Sequence, residues 1–115
     1  MSIAQRLNPQ PIDQSIVLGW ARSVAAKIRQ FSVPENIILF GSGAEANFRE
    51  GSDLDLLLVY PSLETLRQGR KMLAKARPFG VPCPVDLIFV TRERYAASKD
   101  LGGICFVACH EGINL

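Results

Sequence analysis

Long apolar runs are missing from this 115-residue chain: none approaches the ~18 residues that a membrane helix needs, and Met1-Ser2-Ile3-Ala4-Gln5-Arg6 opens no apolar core of signal-peptide length. The expectation is a cytoplasmic protein with no membrane partner. Cysteine is scarce and odd in number, Cys83, Cys105 and Cys109, which excludes a disulfide framework and predicts reduced thiols. The soft-ligand run Cys105, Cys109 and His110 lacks the paired knuckles of a zinc site, so small buried core residues are expected there. Excess charge is lacking too: 13 Lys and Arg against 11 Asp and Glu leave +2, too little to draw the whole chain onto polyanions, so a nucleic-acid partner is not expected. There is no internal repeat and no low-complexity tract.

What is present describes one globular unit. Hydrophobic residues make up 48% and charged residues 21%, the balance of a domain that buries a core, and the length allows one core without staples. Residues 1–12, with Pro9 and Pro11 among polar neighbours, read as a flexible N-terminal arm, and 13–115 as a single domain. Asp13 caps a helix running to about Phe31, its stripe formed by Ile16, Trp20, Val24 and Ile28 with Val17, Ala21 and Ala25. Asn36 to Phe40 reads as a strand covered on both faces. Gly41-Ser42-Gly43 breaks it, and Ala44 to Phe48 is expected to form a helical turn.

A second strand is expected over Asp53 to Tyr60 and a third over Val85 to Val90. Between them Ser62 caps a helix from about Leu63 to Ala76, with Leu66, Leu73 and Ala76 inward and Arg67, Arg70, Lys71 and Lys75 on a solvated face. Thr91 caps a brief helix, and a last one covers Ile104 to His110, ending at Gly112. His110 is expected to have a surface or capping role. The sum is an α/β chain of the α+β type: a small mixed sheet of three or more strands packed with about four helices.

Three acids stand out within these strands. Asp53 and Asp55 are two residues apart, so they project on one side of their strand, about 6.6 to 7 Å apart along it. A neighbouring third strand, about 4.8 Å away, would bring Asp86 beside them. Three carboxylates in a small volume repel one another unless they protonate or a multivalent cation joins them. An all-oxygen ligand set suits Mg²⁺ or Mn²⁺, and a pair of such ions suits phosphoryl chemistry. Gly41 and Ser42 end the first strand where backbone N–H groups and a hydroxyl can approach phosphate.

The order Gly41-Ser42, ten residues, Asp53-Leu54-Asp55 and then a lone strand acid Asp86 resembles the signature of the DNA polymerase beta-like nucleotidyltransferases, closest to their minimal stand-alone members. The likeness continues through Val85–Thr91 and from Asp100-Leu101-Gly102-Gly103 to the tail Gly112–Leu115, and so covers roughly residues 13 to 115. It implies the nucleotidyltransferase fold, a Gly41-Ser42 loop that holds triphosphate, metal binding by Asp53 and Asp55, and Asp86 as the acid assisting the nucleophile. The activity it implies is transfer of a nucleoside monophosphate, AMP from ATP or another triphosphate, to an acceptor hydroxyl. It also implies a helical HEPN-type protein partner, as in toxin–antitoxin pairs. One position departs from the pattern: Glu45 stands where the family often carries Arg. A charge-assisted bond to phosphate is worth about 1.5–3 kcal/mol, so its loss weakens nucleotide binding roughly ten- to a hundredfold. Arg49 is the nearby candidate to compensate, and a weak or inactive binding subunit is the alternative reading.

Overall fold

The computed structural model describes residues 8–115. Helix α1 spans Gln14–Phe31, and the Asp13 carboxylate accepts from the Ser15 amide at its start. It precedes strand β1, Asn36–Phe40, and a 3₁₀ turn at Gly41–Gly43. Strand β2 is Leu54–Tyr60, α2 is Leu63–Ala76 and β3 is Val85–Thr91. Helices α3, Arg92–Ser98, and α4, Ile104–Glu111, lead to the two-residue strand β4, Ile113–Asn114.

The sheet is mixed, in the order β3-β2-β1-β4. β1 runs antiparallel to β2 and β4, while β2 and β3 are parallel and joined through α2. A parallel pair needs such a crossover, and the amphipathic face of α2 provides it: Leu66, Leu73 and Ala76 are buried and Arg67, Arg70, Lys71 and Lys75 exposed.

Strand alternation divides the core in two. On one face, Leu54, Leu56, Leu58 and Tyr60 of β2 pack with Ile37 and Leu39 under α1 and α2. On the other, Leu57 and Val59 join Ile38, Phe40, Val90 and the α4 residues Cys105 and Ala108. β1 is therefore covered on both sides, as its unbroken apolar run requires. Trp20 packs against the first core and meets Phe48 edge-on, with ring centroids 6.3 Å apart.

Several local expectations change. Asp53 lies just outside β2, and β3 extends to Thr91, which also caps α3. The turn expected from Ala44 instead falls earlier, at Gly41–Gly43, because Gly41 takes φ +73° and its carbonyl accepts from the amides of Ala44 and Glu45. Cys105 is buried but Cys83 is half-buried and Cys109 exposed, since α4 packs on the sheet through Cys105, Val107 and Ala108 and Cys109 lies outside that contact. Residues 1–7 of the expected arm lie outside the described residues. Beyond them, Gln10 and Ile12 exchange backbone bonds with Glu50 and Phe48, at 2.9–3.0 Å.

Candidate functional site

β2 and β3 are parallel, so both begin at the same end of the sheet. Their register sets Asp55 directly opposite Asp86. Alternation turns both side chains toward the face that α4 covers further along, away from the face under α1 and α2. Asp53, two residues before Asp55 and just outside the strand, is near enough for its charge to act on the Asp55 carboxyl. β1 meets this point too, because Phe40 is the partner of Asp55 in the antiparallel register, so the chain turns at Gly41 right beside it.

That closeness explains the glycine. A Cβ on Gly41 would stand 2.7 Å from the Asp55 carboxylate oxygen Oδ2, and the backbone there is left-handed. Gly43 is confined differently: a Cβ would press on Leu39 Cδ1 at 3.1 Å. Ser42 sits between them at the head of the turn, half-buried, its carbonyl accepting from the Asn47 amide at 3.3 Å.

Electrostatics follow from the crowding. The Asp55 carboxyl is held above its ordinary range, first by burial, then by the charges of Asp86 and Asp53. Burial, and then the negative charge of Asp53, push the Cys83 thiol up. Asp53 and Asp86 are exposed. In the rotamers seen, no three His, Cys, Asp or Glu side chains among the described residues are gathered closely enough to hold a metal ion. The donor chemistry nevertheless fits a hard divalent cation: oxygen ligands only, and a half-buried carboxylate whose charge its neighbours oppose.

The remaining expected residues are placed less centrally. Arg49 is exposed and donates from Nη1 to the Pro9 carbonyl at 3.5 Å, with no acid partner among the described residues. Glu45 is exposed in the loop after the turn. Cys105, Cys109 and His110 form no metal cluster, and His110 instead meets Asp100 at 3.3 Å.

One residue near the site is not singled out by its sequence. Gln14, in the first turn of α1, donates from Nε2 to the Gly43 carbonyl at 2.8 Å and so ties that helix to the Gly-Ser-Gly turn. Its Oε1 is buried without a partner. A Gln just inside a capped helix start is the only local signal, and it is a common one.

A groove of about 740 Å³ lies elsewhere, at the C-terminal ends of β2 and β3 between Pro61, Arg67, Arg70 and Arg94. Five residues of strand, roughly 16 Å, separate it from the acids.

Comparison with known proteins gives a consistent picture. A family model described as a nucleotidyltransferase domain matches residues 21–102, which include Gly41, Ser42, Asp53, Asp55 and Asp86. A solved structure of a Sulfolobus solfataricus protein, described as a nucleotidyltransferase, superposes with a TM-score of 0.55 at 19% identity, over 88% of this chain and 80% of that one. At that identity the likeness is one of fold. No curated protein sequence matches significantly.

Proposed function

Because this chain belongs to the nucleotidyltransferase domain family, we propose that it transfers a nucleoside monophosphate, AMP from ATP, to an acceptor hydroxyl. The acceptor oxygen forms a bond to the α-phosphorus, the bond from that phosphorus to the bridging oxygen breaks, and pyrophosphate leaves with the electron pair. The observation that carries this reading is the meeting of Asp55, Asp86 and Gly41 where three strands converge.

Each residue has a role of its own. Gly41 and Ser42 accept the leaving phosphates against backbone N–H groups and a hydroxyl, which the left-handed turn makes accessible. Asp86, exposed at the rim, takes the proton of the attacking hydroxyl. Asp53, Asp55 and Asp86 would hold Mg²⁺, or Mn²⁺, which when bound offsets charge on the phosphates and lowers the pKa of the acceptor hydroxyl. Gln14 is a positioning residue, bracing the turn through Gly43.

The acceptor belongs to a partner in this proposal. A HEPN-type helical protein is the candidate on family resemblance, with a tyrosine hydroxyl as the group modified. Asp53→Asn with Asp55→Asn should abolish transfer of label from ATP to that partner while leaving the thermal unfolding cooperative, and undiminished labelling would reject the assignment.

One feature favours a second reading. Glu45 places a negative charge after the phosphate turn, and Arg49 is engaged with Pro9, so a binding subunit that captures its partner without transferring nucleotide is the alternative. Incubation with labelled ATP, Mg²⁺ and the neighbouring gene product separates the two: label on the partner marks an enzyme, co-purification alone a binding subunit. No helix among the described residues is long and apolar enough to cross a membrane.

A further inference from the structure

β3 is the outer strand of the sheet on one side. It is seven residues long, Val-Asp-Leu-Ile-Phe-Val-Thr, and pairs with β2 in unbroken register, so no bulge, proline or lysine blunts it. Long, flat and apolar outer strands are pairing sites unless something covers them. The opposite side of the sheet ends instead in the two-residue β4.

The direction of the backbone groups follows from two bonds. The Leu54 amide donates to the Pro84 carbonyl, so position 84 faces β2. Alternation then turns Asp86, Ile88 and Val90 toward β2 and Val85, Leu87 and Phe89 outward. Arg77 agrees with this, donating from Nη1 to the Val85 carbonyl at 3.1 Å. The outward N–H and C=O groups of Leu87 and Phe89 have no hydrogen-bond partner among the described residues, and both side chains are only half-buried.

Grooves run along both flanks of this strand. The 740 Å³ groove crosses the C-terminal end of the strand, from Arg67 and Arg70 of α2 to Glu93 and Arg94 of α3, and a smaller one of about 180 Å³ lies on the α2 side between Arg70, which stands 5.2 Å over the Phe89 ring, and Arg77. A groove of about 420 Å³ lies on the α3 and α4 side, with Arg94 at its border and Ile88, Val90, Ile104 and Cys105 within. None of Arg67, Arg70, Arg77 and Arg94 has a carboxylate partner among the described residues. Glu93 is the acid in the large groove and Asp86 the acid at the far end of the strand.

We propose that the open side of β3 is a docking site for an extended acidic segment of a partner protein, which adds a fifth strand to the sheet. Main-chain bonds to Leu87 and Phe89 supply the pairing. Alternate side chains of the segment then fall into the flanking grooves, where carboxylates meet Arg67 and Arg70 on one side and Arg94 on the other. Charge selects this occupant over a second copy of the chain, because pairing β3 with its own copy would set one unpartnered arginine cluster against another. The inference rests on the strand and its arginines, and stands whether or not nucleotide is transferred.

The test uses an acetylated eight-residue peptide repeating Glu-Glu-Val-Val, which as a strand presents carboxylates on both faces, with one repeating Lys-Lys-Val-Val as control. The acidic peptide should bind the full chain and slow hydrogen exchange at the Leu87 and Phe89 amides, with the basic one at least tenfold weaker. Arg70→Glu with Arg94→Glu, at exposed positions, should weaken binding at least tenfold and leave the melting curve cooperative. Leu87→Pro removes an outward donor without cutting the ladder to β2, and should weaken the acidic peptide's binding and its protection of the Phe89 amide. Equal binding of both peptides, unprotected amides, or binding unchanged in the arginine variant would overturn the proposal. So would a concentration-dependent dimer protecting the same amides, or a single-stranded oligouridylate that competes for the arginines while the acidic peptide leaves those amides unprotected.

Discussion

Asp55 carries the tension of the site. Its carboxyl is raised by burial and by Asp86 and Asp53, so in the metal-free protein the native state binds its proton more tightly than the unfolded chain does. Stability then falls as pH rises from the ordinary carboxyl range, about 3.9, through the raised native value. Asp55→Asn should melt higher than the parent near pH 7 without metal, and that advantage should vanish below about pH 4. Adding Mg²⁺ reverses the order: a ligand at ~100 times its Kd stabilises by about 2.7 kcal/mol, and only the parent should gain. Gly41 is the neighbouring constraint. Gly41→Ala meets both the left-handed backbone and the Asp55 oxygen at 2.7 Å, so it should cost about 1–2 kcal/mol for the backbone plus the displacement, read by urea titration. Glu45→Arg should tighten ATP roughly ten- to a hundredfold by calorimetry, since it restores a bond of about 1.5–3 kcal/mol.

α2 shows how an element is both closed and fitted. Ser62 and Thr65 form a reciprocal capping box, each side chain accepting from the other's backbone amide at 3.2 Å. Ser62→Ala should lower stability by about 1 kcal/mol, read as a lower urea midpoint at unchanged slope. Both the cap and the first inward position of the stripe are written in the local order Pro61-Ser62-Leu63-Glu64-Thr65-Leu66. Gly69 is different. It looks like a weak point in a helix interior, yet a Cβ there would fall 2.6 Å from the Tyr60 hydroxyl oxygen. Tyr60 is fully buried and its hydroxyl shares a 2.8 Å bond with Ser32, so the ring cannot step aside. Gly69→Ala should destabilise by about 1–3 kcal/mol, although on an isolated helix the same change would stabilise.

At the scale of the molecule, the sheet ends differently on its two sides. β4 closes the outer side of β1 through Ile113 and Asn114, paired with Leu39 and Ile38. The Leu115 amide adds a 2.9 Å bond to the Ile37 carbonyl, and Arg29 holds the Leu115 carbonyl at 2.8 Å. Truncation after Gly112 should strip these bonds, each worth ~1 kcal/mol, and bare the backbone of a buried apolar strand. A drop of roughly 2 kcal/mol or more, with self-association by sedimentation, is expected. β3 remains the open side, with arginines ranged along it.

Secondary structure was legible because its causes are local. Asp13, Ser62 and Thr91 carry capping oxygens, the apolar positions of α1 and α2 recur at helical spacing, and β1 and β2 are short apolar runs bounded by turn residues. The two-residue β4 left no such trace, since so short a segment becomes a strand only by lying against β1. Within the candidate site, Asp53 and Asp55 stood out for the same local reason, since two residues of spacing keep their charges close. That Asp86 faces Asp55, that Gly41 abuts its carboxylate, that Gln14 braces the turn and that Gly69 admits Tyr60 are contacts between residues far apart in sequence. Tertiary structure alone decided them, because alternation fixes the side on which a residue projects, while only the packing of strands and helices fixes what it meets there.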